Sequence, residues 1–519
     1  EAADASAVYQ FTVSGRSVGA LKGNAINLLR FLEKEEELSL RDLAYTLTRR
    51  KTQHDLVWLL EAGNRKALMA ALEMKIQQGK YPRMAANGDQ RLVWVYTGMG
   101  PQWYGMGQEL YKCDKVFKDA LDKCDRILQS IAGYSLLREM QKSASDSQIT
   151  KNHFAQAANF FVQIGLSEML TAKGIPKDAI VGHSVGEVAA AVIAGAITLE
   201  AGVRIIYQRG VLLEKIAGKG TLLAVGLSDE QMAVYLQSFP DLEIATVNSP
   251  QSVTIAGTEE ALSLLDRHLT SEGIFSKFVR VEVAYHSSQT SVLEQEMLEA
   301  FQFVQPGLPE IPLFSTVTGT AVEMPVHNGD YWWKNVRQQV LFSQTLDKLI
   351  KLGYTNFIEI GPHPVLGGAI KEIAAASAGR VNTFFTLKRQ ADELETIYEN
   401  LEGLMGADIP LLLNPGIHGK KIKTPVYEWD KEYCWAEAAE ITAYRSGESN
   451  ANPFLQEKIV GPGIAWKTQV NRPALHYLKD HRIGSSLVFP GAGYVESILS
   501  VIAAGSSGKT LVVEQLEFN

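Results

Sequence analysis

The sequence predicts an α/β fold, and three observations carry that expectation. The apolar run Ala179-Ile180-Val181 leads into Gly182-His183-Ser184-Val185-Gly186-Glu187 and then into the small-residue run Val188-Ala189-Ala190-Ala191-Val192-Ile193-Ala194. That order reads as strand, tight turn and helix. Residues 220–284 alternate four strand-like runs with two helical stretches in the order β-α-β-β-α-β, the order of a ferredoxin-like unit. Leu28, Leu29 and Leu32, and later Leu40, Leu43, Ala44 and Leu47, recur at helical spacing before the strand-like Leu56-Val57-Trp58-Leu59-Leu60. Together these predict an α/β-hydrolase-like core with an inserted ferredoxin-like subdomain, preceded by a small α+β unit.

In chain order, residues 1–88 form the first unit, which carries no cluster of reactive side chains. The second unit spans 89–388. It opens on the strand Leu92-Val93-Trp94-Val95, followed by the glycine-rich Tyr96-Thr97-Gly98-Met99-Gly100-Pro101-Gln102-Trp103. The turn at Ser184 then carries the clearest chemistry. A serine at the apex of a strand-to-helix turn stands clear of the sheet edge. Glycines at 182 and 186 permit a turn that a Cβ would obstruct, and the helix N-terminus behind it favours developing negative charge. Ser184 is the candidate nucleophile, and the N–H of Val185 is one half of an oxyanion hole. The rival reading is a glycine-rich turn that only packs a helix on a strand; the flanking strand and helix weigh against it.

The inserted unit reads Leu222-Leu223-Ala224-Val225, Ile244-Ala245-Thr246-Val247, Val253-Thr254-Ile255-Ala256 and Phe278-Val279-Arg280-Val281 as strands. It closes over Ser184 and carries Tyr285-His286 at its exit, placing the site in the cleft between the two parts. A linker spans 389–444, including Ile422-Lys423-Thr424-Pro425-Val426-Tyr427-Glu428-Trp429 and Tyr433-Cys434-Trp435. The polar Arg445-Ser446-Gly447-Glu448-Ser449-Asn450 reads as an exposed hinge opening a last unit, 445–519. No initiator Met begins the chain, and it stops inside the strand-like Leu511-Val512-Val513-Glu514-Gln515-Leu516-Glu517. It is expected to be a piece of a larger polypeptide.

Composition narrows the function classes. Hydrophobic residues make up 46% and charged residues 21%, as in ordinary globular material. No apolar run suits a membrane span, and no signal sequence stands at the start. The net charge of −8, spread along the chain, argues against a nucleic-acid partner. Cys113, Cys124 and Cys434 show neither disulfide nor zinc spacing, so no metal is expected and a cytoplasmic setting is the default.

With the Ser184 turn, Arg209 in Tyr207-Gln208-Arg209-Gly210 and the segment Val283-Ala284-Tyr285-His286-Ser287, the chain resembles the acyltransferase (malonyl/acetyl-CoA:acyl carrier protein transacylase) family of polyketide and fatty acid synthases. The resemblance implies that His286 is the general base and that Arg209 binds the free carboxylate of a malonyl-type acyl group. A planar two-pronged donor suits that task better than a lysine. It further implies a second oxyanion N–H from Met99, where the family usually has Gln, and substrate-pocket roles for Gln156, His183 and Tyr285. It also implies a main-chain carbonyl, expected at Leu341 in Asn335-Val336-Arg337-Gln338-Gln339-Val340-Leu341-Phe342, that orients the base. Gly361-Pro362-His363-Pro364 matches a late loop of the family, with His363 structural.

The flanks resemble neighbouring parts of the same megasynthases: residues 1–88 the ketosynthase–acyltransferase linker, 389–444 the linker after the transferase, and 445–519 the start of a hot-dog-fold dehydratase. In the last, His481 stands nine residues before Pro490, as a dehydratase histidine does. Ser485 stands where the family has glycine, and the acid partner is not in the chain. The implied function is transfer of an extender acyl group, most readily malonyl, from coenzyme A through an acyl-serine to the phosphopantetheine thiol of an acyl carrier protein, with no bound cofactor. Neighbouring ketosynthase and dehydratase domains are the expected partners. The alternatives are a methylmalonyl-selective transferase, a fatty acid synthase-type transferase, a serine hydrolase and a non-catalytic scaffold. Val185 after the serine and the bulky Tyr285 beside His286 favour malonyl, whereas Val283 matches neither pattern.

Overall fold

The computed structural model describes residues 8–81, 90–149, 151–431, 452–506 and 512–517, together with 436, 437, 439, 442 and 510. The chain forms two compact units, Glu1–Asp430 and Lys431–Asn519. The expected boundaries at 88–89 and 444–445, the triplet Tyr433-Cys434-Trp435 and the hinge at 445–450 lie outside the described residues. No helix among the described residues is long and apolar enough to cross a membrane.

The first unit begins with a two-stranded antiparallel ribbon, β1 (Tyr9–Gly15) against β2 (Leu56–Ala62). Helices Val18–Lys34, Leu40–Arg49 and Arg65–Gln78 pack on it, each started by a polar side chain (Ser17, Ser39 or Asn64) that accepts a first-turn N–H. The helical spacing noted above becomes a core of Leu28, Leu32, Leu43, Ala44 and Leu47 around Phe11 and Trp58. Residues 414–428 strap back across this ribbon. Asn414 exchanges hydrogen bonds with the Gln10 backbone (2.8 Å), and the Glu428 N–H reaches Asn24 (2.7 Å). A buried ion pair, Lys75 to Glu402 at 2.7 Å, ties the ribbon's third helix to the helix Glu393–Gly406.

The main body is a six-stranded sheet in the order β10-β9-β4-β3-β11-β12. Its strands are β3 (Leu92–Tyr96), β4 (Ala179–Gly182), β9 (Leu313–Ser315), β10 (Thr320–Ala321), β11 (Asn356–Ile360) and β12 (Asn382–Phe385). All pairings are parallel except β10 on β9. β3 and β4 are buried at every residue, because helices cover both faces of a parallel sheet. The inserted subdomain has β5 (Thr221–Val225), β6 (Glu243–Ser249), β7 (Ser252–Gly257) and β8 (Ser276–Val279), all antiparallel in the order β6-β7-β5-β8, with helices Asp229–Leu236 and Glu259–Ser271. This is the β-α-β-β-α-β order expected. β8 starts and ends two residues earlier than the run Phe278–Val281, since only Ser276–Val279 pairs with β5.

The second unit has two short hairpins, β13 (Glu457–Ile459) with β14 (Ala465–Lys467) and β15 (Arg482–Ile483) with β16 (Ser486–Leu487), and a helix Gly491–Gly505. Phe454, Leu475 and Leu478 form its small core against Phe489. Residues 512–517, expected as strand, are not strand: no neighbouring strand pairs with them among the described residues.

Candidate active site

β4 ends at Gly182, and the helix Gly186–Ile193 begins four residues later. A Cβ on Gly182 would lie 2.4 Å from the Glu187 backbone, and one on Gly186 would lie 2.5 Å from the Thr97 carbonyl oxygen. Both glycines are therefore required by close approach. Between them Ser184 adopts φ 54°, a left-handed conformation uncommon outside glycine. Such strain is a signature of functional turns.

Ser184 Oγ lies 2.7 Å from His286 Nε2, although the residues are 102 positions apart. His286 also has a positive φ, 58°, and its N–H donates to the Val336 carbonyl (3.1 Å). Its Nδ1 lies 2.9 Å from the carbonyl oxygen of Gln338. A carbonyl only accepts, so Nδ1 carries the proton and the Nε2 lone pair faces the serine hydroxyl. Burial pushes the imidazole pKa down to about 3, with the charges of Arg209 and His183 adding to the effect and the Gln338 carbonyl opposing it. The ring is neutral, as a general base must be.

The orienting carbonyl expected at Leu341 is thus that of Gln338. Leu341 caps the helix Phe342–Lys351, so its carbonyl points into that helix and accepts from the Thr345 N–H (3.1 Å) and hydroxyl (2.7 Å). The strap 338–341 is registered on β6 instead: the Val340 N–H bonds to Ala245 O and the Val247 N–H to Val340 O. That pairing brings Gln338 under the imidazole.

A cavity of about 470 Å³ surrounds the pair. Met99, His183, Arg209 and Tyr285 line it from the body, and Ala224, Thr246 and Thr254 from one face of the inserted sheet. The N–H groups of Met99 and Val185 make no hydrogen bond to the described chain. His183 Nε2 lies 2.9 Å from Asn248 Oδ1, and its ring meets Phe342 edge-on at 5.2 Å. Gln156 and Tyr285 are buried and hydrogen-bonded to one another.

Arg209 projects from the helix Leu199–Glu214 and is 2% exposed. Burial lowers its pKa to about 10, with Tyr285 and Glu187 pulling it back up, so it remains a cation at neutral pH. Its Nη1 donates to Asn335 Oδ1 at 2.5 Å, and Nε is buried with no partner. The Asn335 amide in turn donates to the Ser184 carbonyl (3.1 Å) and to Glu187 (3.0 Å). Both Asn335 and Glu187 stand inside segments singled out in the sequence, yet neither drew a role there. A glutamate in a first helical turn reads as a complement to the helix dipole, and a lone asparagine carries no signal.

Elsewhere, His363 accepts from the Arg389 N–H (3.1 Å), a structural contact. His481 is exposed, with Nδ1 2.8 Å from the Val488 carbonyl. Among the described residues no group of three or more His, Cys, Asp or Glu could hold a metal.

The sequence matches the acyl transferase domain family over residues 93–405, the polyketide synthase dehydratase domain over 452–519, and the CurL-like polyketide synthase C-terminal family over 9–72. "Probable polyketide synthase 17" of Dictyostelium discoideum is 30% identical over 461 residues, covering 82% of this chain and 18% of that protein. "Mycoketide-CoA synthase" of Mycobacterium tuberculosis is 29% identical over 532 residues, covering 99% of this chain and 13% of that protein. The chain therefore spans less than a fifth of these two relatives. The acyltransferase domain from module 8 of the salinomycin polyketide synthase superposes with a TM-score of 0.71 at 28% identity, covering 78% of this chain and 97% of that one. The loading acyltransferase of the avermectin synthase superposes at 0.58 with 27% identity, covering 60% and 99%. A serine elbow, a neutral histidine and a buried arginine in one cleft suit acyl transfer, and with these matches the chain belongs to the polyketide synthase acyltransferase family, followed by a dehydratase N-terminal segment.

Proposed function

We propose that this chain takes an extender acyl group, malonyl above others, from coenzyme A onto Ser184 and delivers it to the phosphopantetheine thiol of an acyl carrier protein. One observation carries the reading: the buried Arg209 cation shares a cavity with the Ser184–His286 pair and has an unpartnered Nε. An esterase for neutral acyl groups has no need of that charge. A carboxylate on the acyl group would meet it in a desolvated cleft, where a charge-assisted bond is strong.

In the first half-reaction His286 Nε2 takes the hydroxyl proton as Ser184 Oγ attacks the thioester carbonyl. The resulting oxyanion rests on the N–H groups of Met99 and Val185. Collapse breaks the carbon–sulfur bond, and the departing thiolate recovers the proton from His286. The carrier thiol then attacks the acyl-serine carbonyl as His286 Nε2 takes the thiol proton; the bond from the acyl carbon to Oγ breaks, and Ser184 Oγ recovers that proton from His286. The ring of Tyr285, held beside Arg209 and bonded to Gln156, fills space an α-methyl would need. One methyl discriminates by about 1–3 kcal/mol, so methylmalonyl is disfavoured rather than barred. His481 serves as a dehydratase base only in a longer chain that supplies its acid partner.

Brief incubation with equal malonyl-, methylmalonyl- and acetyl-CoA, followed by mass spectrometry, tests the reading. The expected product is a malonyl adduct on Ser184, with Arg209→Ala losing malonyl and retaining acetyl. Free acid alone would indicate a hydrolase, no adduct a scaffold, and a dominant methylmalonyl adduct a different role for Tyr285.

A further inference from the structure

We infer that Asn335, held by the carboxylate of Glu187, is the positioning residue that fixes the roll of Arg209 and so selects the guanidinium edge offered to the acyl carboxylate. The inference rests on the carboxylate reading of Arg209.

Glu187 is 3% exposed, and its oxygens accept from the Thr316 N–H, the Thr316 hydroxyl (2.6 Å), the Tyr331 hydroxyl (2.7 Å) and Asn335 Nδ2 (3.0 Å). A carboxylate offers about four acceptor directions, so it is saturated and its position is set from three sides. The same Nδ2 donates to the Ser184 carbonyl at 3.1 Å. Two acceptor-only groups therefore face one end of the Asn335 amide. Flipping the amide would turn Oδ1 against both of them and the NH₂ group against a guanidinium, so only one orientation is compatible with its surroundings. In that orientation Oδ1 must face Arg209, where it takes Nη1 at 2.5 Å.

With one Nη1 N–H engaged by Asn335, a bidentate end-on contact through Nη1 and Nη2 would have to share a nitrogen that already donates. The side-on edge, Nε with Nη2, remains, and neither atom has a partner among the described residues. That edge presents two parallel N–H groups with the spacing of a carboxylate. Glu187 is near enough to act on the Arg209 charge, yet no hydrogen bond joins the two. Burial pushes the Glu187 pKa up while the hydrogen bonds from Thr316, Tyr331 and Asn335 pull it back down, and the group acts on the cation without occupying its binding edge. A direct ion pair would have competed with substrate for the same donors.

The test is a double-mutant cycle of Asn335→Ala and Arg209→Ala, read as the ratio of kcat/KM for malonyl-CoA to that for acetyl-CoA. Asn335→Ala should lower the ratio about tenfold or more, the equivalent of one charge-assisted hydrogen bond, with most of the malonyl loss in KM. In the Arg209→Ala background it should leave the ratio unchanged. Asn335→Ser, too short to reach Nη1, is made alongside as the milder variant and should lower the ratio in the same direction. Equal losses for both acyl groups would make Asn335 merely structural and overturn the proposal, as would a further fall in the Arg209→Ala background. If Arg209→Ala alone left the ratio unchanged, the carboxylate reading itself would fail, a separate result.

Discussion

Lowering the pH from 7 towards 4 probes the buried dyad most directly. An exposed histidine protonates near 6.5, whereas His286 is held to about 3, chiefly by burial and then by Arg209 and His183. The difference is roughly 5 kcal/mol against the imidazolium at about 1.4 kcal/mol per unit. With His286 as the base, kcat/KM for acyl-serine formation should stay flat down to about pH 4. Rapid-quench acylation with acetyl-CoA at constant ionic strength, followed by mass spectrometry, measures it. Because Arg209 is the second contributor, Arg209→Ala should shift the acid limb upward. An acid limb near 6.5 in the native enzyme, unmoved by that substitution, would refute the reasoning. Stability follows the opposite course. Between about 3 and 6.5 the unfolded chain binds a proton at His286 that the native chain refuses, so stability is complete above 6.5 and falls as the pH drops through that window. His327, lowered to about 4 by burial, adds to the fall. Denaturant midpoints should decline from pH 7 to 4.5, and less so in His327→Phe.

Ser184→Ala should abolish the acyl-enzyme seen by mass spectrometry while changing stability by no more than about 1 kcal/mol, since only a hydroxyl at a turn is lost. Gly182→Ala drives a Cβ to 2.4 Å from the Glu187 backbone; it should cost about 1–3 kcal/mol in denaturation and impair acylation with every donor. Lys75→Met leaves the buried carboxylate of Glu402 without its cation. It should destabilise by about 3–5 kcal/mol in chemical denaturation, without changing the malonyl-to-acetyl ratio.

Several elements were legible because their causes are local. The Ser184 elbow announces itself by an apolar strand, two obligatory glycines and a small-residue helix within a few residues of one another. The inserted subdomain was legible for the same reason: its strand and helix periods alternate cleanly from 221 to 279. The repeat of Leu28, Leu29 and Leu32 and of Leu40, Leu43, Ala44 and Leu47 likewise marked two helices; Leu28, Leu32, Leu43, Ala44 and Leu47 enter the first core, while Leu29 and Leu40 stay half-buried at its edge. The segment 512–517 misled because strand propensity is local whereas strand formation needs an edge to pair with.

The sequence by itself determined the elbow, the order of the elements and, through resemblance, the residue types the chemistry needs. Only the tertiary structure decided which groups meet. Whether Leu341 or Gln338 turns its carbonyl to His286 depends on how residues 338–341 register against β6, a pairing between segments nearly a hundred residues apart. Whether Arg209 has a free edge depends on Asn335 and Glu187, which arrive from a later helix and from the helix after the elbow. Main-chain carbonyls and amide orientations leave no mark in residue identity. Their roles are set by packing and by the requirement that every buried polar group find a partner.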